Sequence, residues 1–116
     1  MDLAAVRRFA LSLPEATEEP HFDLTSFRVR GKIFATVPPD EVHVRCFVDE
    51  AEVRAAVAEE PAACTELHWG KKLSGVEVTI AAVTAALIEE LLTDSWRRKA
   101  PKTLVTAFDA AQLAAD

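Results

Sequence analysis

The stretch Thr25-Ser26-Phe27-Arg28-Val29-Arg30-Gly31-Lys32-Ile33-Phe34-Ala35-Thr36-Val37 decides the fold. From Thr25 to Arg30 apolar and polar residues alternate, the pattern of a half-buried strand. Gly31 supplies a tight turn and residues 33–37 follow as a second strand, so the segment reads as a β-hairpin. Pro38-Pro39-Asp40-Glu41 is the next turn, because proline fixes φ and removes a ladder donor. Residues 42–47 alternate again and make a third strand. Three strands joined by short turns predict an antiparallel meander.

Before the meander, Asp2 can cap a first helix in which Leu3, Val6, Ala10 and Leu13 recur at helical spacing, and Pro14 ends it. Residues 15–24 hold Glu15, Glu18, Glu19, Pro20 and Asp23 and read as a loop. After the meander, Asp49 with Glu52 three positions on has the form of a capping box. Val53 and Val57 stripe that helix and Pro61 closes it. Residues 64–69 suggest a short fourth strand and 75–80 a fifth. Thr84 caps a long helix to about Lys99, with Leu87, Leu91 and Ser95 and then Ile88, Leu92 and Trp96 as its buried rows. Pro101 suits the first turn of a last helix that packs Leu104 and Phe108. Helix, three strands, helix, two strands and two helices predict one α+β two-layer domain over residues 1–116, its antiparallel sheet about five strands wide.

The 116 residues are half hydrophobic and 28% charged, an ordinary globular balance. No run is long and apolar enough to span a bilayer. The first residues lack a cationic leader followed by an apolar stretch, and two cysteines are too few for a disulfide framework, so the expected compartment is the cytoplasm. The net charge of -6 argues against a protein that coats nucleic acid, but leaves room for a local basic patch.

Such a patch is visible in Trp96-Arg97-Arg98-Lys99-Ala100-Pro101-Lys102. Cations in a last helical turn complement the helix dipole, about 0.3–1 kcal/mol each, which is a sufficient structural explanation. Extension of the run to Lys102 favours an anion site. In the hairpin, Arg28 and Arg30 are two apart and share a strand face; Arg45, His43 and Phe47 join it from the third strand, and Lys32 sits at the turn tip. Together with Phe34 and Phe47 these cations suit a phosphate backbone and stacked bases, unless a helix covers the face. His68-Trp69-Gly70-Lys71-Lys72 is a candidate cleft for an anionic or aromatic ligand, although Trp69 by itself reads as a core residue.

No cofactor or metal is expected. His43 and Cys46 are three apart on a strand and point to opposite faces, and no usual zinc spacing joins His21, His43, His68, Cys46 and Cys64. A G-x-S-x-G frame and a glycine-rich phosphate loop are absent from the sequence, and the adjacent carboxylates read as solvated helix faces.

Four motifs in register carry a resemblance: Leu11-Ser12-Leu13-Pro14-Glu15 closing the first helix, residues 27–35 forming the hairpin, His68-Trp69-Gly70, and Leu91-Leu92-Thr93-Asp94-Ser95-Trp96 near the end of the long helix. In this order and spacing the chain resembles the MmcQ/YjbR family of small bacterial proteins. The resemblance implies an α+β fold with an antiparallel sheet, a DNA-binding label based on a double-wing arrangement, and no established enzyme activity. The chain departs from the family pattern at Leu67, where the family often has Lys, and at Ser95-Trp96, where it often has Ser-Tyr.

The expectation is therefore a non-enzymatic binding module that docks DNA weakly and with little specificity, or another anionic ligand. Arg28, Arg30, Lys32, Arg45, Lys71, Lys72, Arg97, Arg98, Lys99 and Lys102 would supply the contacts, in a monomer or homodimer. Two alternatives stand beside it. One is an adaptor or chaperone-like domain using its sheet face; the other is a small-ligand sensor at His68 and Trp69.

Overall fold

Alternation along the strands sorts the side chains into two faces, and only one of them is apolar. A computed structural model describes residues 1–115. Its elements are α1 (Leu3–Ser12), β1 (Ala16–His21), β2 (Leu24–Val29), β3 (Lys32–Val37), β4 (His43–Cys46), α2 (Glu50–Glu59), β5 (Cys64–Trp69), β6 (Lys72–Thr79), α3 (Ala85–Lys99) and α4 (Lys102–Ala115). The strands form one antiparallel sheet in the order β1-β2-β3-β4-β6-β5. Phe27, Val29, Ala35, Val37, Val44, Cys46, Cys64, Val76 and Val78 are buried on one face, where α1, α2 and α3 pack. By strand alternation Ser26, Arg28, Thr36, His43, Arg45, Glu77 and Thr79 lie on the other. The buried Ser26 on that second face is bonded: its hydroxyl donates to the Glu19 carbonyl at 2.6 Å and accepts from Arg28 Nε at 2.9 Å.

The α+β class and the meander are as the sequence predicts, but the sheet has six strands. Residues 15–24, expected to be a loop, contain β1 and the turn into β2. β1 is an edge strand, so its middle residues are exposed on both faces and show no hydrophobic alternation. Glutamates and Pro20 are also what an edge strand uses to discourage further pairing.

A bulge corrects a second expectation. Phe27 pairs with Ala35 and Arg28 with Ile33, which leaves Phe34 as an extra residue in β3. Phe34 therefore turns into the core, 6.5 Å from the Phe27 ring, instead of joining Phe47 on the polar face. Arg30 does not share a strand face with Arg28 either. It sits in the β2–β3 turn at φ 51°, followed by Gly31 at φ 78°.

Both predicted rows of α3 are buried. Trp96 is wholly enclosed, packs 5.0 Å from the Phe108 ring, and donates its indole N–H to the Pro14 carbonyl at 3.0 Å. α4 has no fully buried residue and leans on the body through Leu104, Val105 and Phe108. Asp2, Asp49 and Thr84 cap their helices as expected, accepting from Ala5, Glu52 and Leu87 backbone N–H groups. Glu52 does not complete a capping box, because its carboxyl turns to Asp94 of α3.

That contact has a pH signature. Desolvation, followed by the hydrogen bond and charge of Asp94 and the charge of Asp49, pushes Glu52 up to about 7, against a partial opposing effect of Arg98. The folded state thus holds a proton that the unfolded state releases above the ordinary carboxyl value. Stability from this group is full at low pH, falls as pH rises through about 7, and then levels off. Because the pair is partly solvated, about 1 kcal/mol is the expected size. Glu52→Gln should be more stable than the parent in urea at pH 8 and equal to it near pH 4; an equal gain at both values would exclude the linkage.

Candidate functional site

A cavity of about 500 Å³ is lined by side chains of both edge hairpins and by the C-terminal end of α3. His21 and Leu24 reach it from β1 and β2, and Trp69, Lys72 and Leu73 from β5 and β6. Ile33, Thr36, Arg45 and Phe47 line it as well, together with Asp49, Glu50, Arg98 and Lys99. Since β1 and β5 are the two outer strands, one cavity can take residues from both hairpins only if the sheet curls.

Trp69 corrects the sequence reading most sharply. It is not a core residue: 65% of it is exposed, and its ring stands 5.7 Å from Phe47 at an angle of 52°. The other tryptophan, Trp96, fills the core. The expected His68–Trp69 cleft divides for the same reason that strands have two faces. His68 is absent from the cavity lining, and its Nε2 stands 3.5 Å from the Glu66 carboxylate.

The cations expected to form a single patch separate into groups. Arg45, Lys72, Arg98 and Lys99 line the cavity. Arg45 is held by Glu77 at 2.9 Å, and Arg98 donates to the Phe47 carbonyl at 2.8 Å. Among the described residues, Lys72, Arg98 and Lys99 form no ion pair. Arg28 is 3.9 Å from Glu19, and its guanidinium also bonds Ser26 and the Pro20 carbonyl. A bidentate pair joins Arg30 to Glu15, which holds the carboxylate below its usual range and raises the guanidinium. Arg97 turns away from its neighbour Arg98. It pairs with Asp109 at 2.6 Å and Asp94 at 3.7 Å and lies 5.3 Å from the Phe108 ring centre. Helical residues one apart diverge by about 100°, so a run of adjacent cations cannot all face one ligand. Lys32, Lys71 and Lys102 are exposed outside the cavity lining.

Both thiols lie in the core. Burial pushes Cys46 up to about 12, opposed in part by a hydrogen bond with Ser95, and pushes Cys64 up to about 11, helped by Glu60 and Glu59. They remain protonated at neutral pH and fill space as small hydrophobes. Among the described residues no three His, Cys, Asp or Glu side chains converge as a metal would require.

Of the residues that line the cavity, the sequence reading named Arg45, Phe47, Trp69, Lys72, Arg98 and Lys99, though for a DNA surface or a His68–Trp69 cleft. It missed His21 and Leu24, because β1 was hidden, and Ile33, which the bulge places on the polar face.

Fold and cavity together define an α+β domain with an aromatic and cationic recess bounded by its two edge hairpins. The chain belongs to the YjbR family, whose model matches residues 11–98. The crystal structure of Deinococcus radiodurans protein DR2400, described as a DUF419 domain, has a similar fold. Its TM-score is 0.69 at 22% identity, over 81% of this chain and 75% of that one. No curated protein matches the sequence. No helix among the described residues is long and apolar enough to cross a membrane.

Proposed function

We propose that this protein is a non-catalytic binding module whose cavity takes a small anionic ligand with a planar, apolar body. One observation carries the reading: a largely exposed tryptophan, set against Phe47, shares a recess with Arg45, Lys72, Arg98 and Lys99. Exposing an indole forgoes the burial that usually accounts for tryptophan, and a flat ring together with a phenyl neighbour forms a stacking wall. Cations without carboxylate partners lie within the same lining. Leu24, Ile33 and Leu73 supply apolar contact for the body of the ligand, and the volume suits a small molecule.

Docking of duplex DNA has less support. Arg28, Arg30 and Arg97 are already paired with carboxylates, and the whole chain carries a charge of -6. A backbone footprint needs several free cations along a continuous surface. An adaptor using the sheet face has less support again, since that face is mostly polar where an apolar patch would be needed.

The reading is tested by titrating the protein with adenosine monophosphate and anilinonaphthalene sulfonate as planar anions, and with pyrophosphate as a ring-free anion. Binding of a planar anion should perturb tryptophan emission, and Trp69→Ala should weaken it by about tenfold or more. Lys72→Ala should weaken planar and ring-free anions alike. A labelled duplex at physiological salt is the comparison. Retention of the duplex with no response to the small anions would reverse the order of the two readings.

A further inference from the structure

The two edge hairpins turn through loops of the same length, with different residues at the critical place. In β5–β6, Trp69 pairs with Lys72 across Gly70-Lys71; in β1–β2, His21 pairs with Leu24 across Phe22-Asp23. The first loop residue has positive φ in both, 61° at Gly70 and 57° at Phe22. Glycine is the residue such a position favours in a two-residue hairpin, because a Cβ there meets the backbone. Gly70 follows that rule. Phe22 breaks it with a bulky aromatic ring, a genuine outlier in the left-handed region.

Folding does not explain the exception. Phe22 is 92% exposed, the most exposed of the large hydrophobic residues, so it adds almost nothing to the core. Among the described residues three other non-glycine residues have positive φ, and two of them, Glu15 and Arg30, are tied to each other by a bidentate ion pair. The ring of Phe22 is itself outside the cavity lining, but its one aromatic neighbour, His21, edge-on at 4.8 Å, is part of the cavity wall. Strained backbone and an exposed apolar ring thus coincide beside the recess, at the end away from Trp69.

We infer that Phe22 is a ligand-binding residue, the second aromatic jaw of the cavity. The ring of a planar aromatic anion is held between the wall of Trp69 and Phe47 and the tip of the β1–β2 hairpin, while Lys72, Arg98 and Lys99 take its negative charge. The inference rests on the small-anion reading above and adds to it a ligand whose flat body reaches both hairpins. It gives the strain a purpose: the turn holds an apolar side chain in solvent until a flat surface covers it.

Phe22→Gly and Phe22→Tyr, titrated with adenosine monophosphate, anilinonaphthalene sulfonate and pyrophosphate, test it. Phe22→Gly should unfold a few degrees higher than the parent, since it relaxes the turn, yet bind the planar anions about tenfold more weakly. Its affinity for pyrophosphate should be unchanged, and Phe22→Tyr should bind all three as the parent does. A residue with a purely structural role would not raise stability while lowering affinity for flat ligands alone. If the parent binds neither planar anion, the small-anion reading and this inference fall together. Parent-like affinity of Phe22→Gly for the planar anions overturns the jaw alone, and so does an equal loss for pyrophosphate. A lower unfolding temperature for Phe22→Gly would remove the strain argument on which the inference stands.

Discussion

Trp96→Ala is expected to cost about 3–5 kcal/mol, the upper range for deleting a buried aromatic side chain. Trp96 is the largest fully enclosed residue and the last member of a buried row on α3. Its removal leaves a cavity beneath the sheet and leaves the Pro14 carbonyl without the indole donor at 3.0 Å. The ring also supports Phe108, one of the few residues holding α4 to the body. Domains of this size are stable by roughly 5–15 kcal/mol, so this single change removes about a fifth of the total or more. Trp96→Phe keeps most of the packing and should cost clearly less, with the unpaired carbonyl accounting for about 1–3 kcal/mol. Urea unfolding with a fitted slope measures both. A loss below about 1 kcal/mol for the alanine variant would contradict this account of the core.

Gly75→Ala is the second large effect, although it adds only a methyl group. A Cβ built on Gly75 falls 2.4 Å from the Cys46 carbonyl oxygen and 3.3 Å from the Phe47 Cα. Those atoms are backbone, so no side chain can swing aside; β4 or β6 has to move. Overpacking of this kind costs about 1–3 kcal/mol and occasionally more, and the rigid obstacle argues for the high end. Displacing Cys46 and Phe47 also shifts the aromatic neighbour of Trp69 and the carbonyl that Arg98 bonds. Ligand affinity should therefore fall along with stability. Gly31→Ala is the control: nothing lies within 4 Å of its added Cβ, so only the cost of its positive φ remains, about 1 kcal/mol. Equal losses at the two sites would show that backbone conformation, and not the close approach of strands, accounts for both.

What could be read along the chain depended on whether a residue's surroundings were local. The meander was legible because β2, β3 and β4 have one covered face, which writes alternation into the sequence. The α3 rows were legible because a helix buried on one side repeats its apolar residues every three or four positions. β1 was not, since an edge strand exposed on both faces has no apolar partner to impose a period. Phe34 was misplaced because a bulge shifts the face of every residue before it, and one residue more or less leaves no mark in composition.

For the candidate site the division is sharper still. Charge, aromatic content, the caps and, β1 and its turn apart, the order of the elements follow from the amino acids themselves, because each depends on neighbours a few residues away. That Trp69 stays exposed, which cations find a carboxylate and which are left facing a recess do not. The helical row marks Trp96 as buried, but nothing along the chain marks Trp69 as exposed, since it reads as a core residue too, and Arg97 and Arg98 are adjacent. Only the curl of the sheet and the packing of α3 against it assign one of each pair to the cavity and the other elsewhere, because side-chain environments are made by contacts between segments distant along the polypeptide.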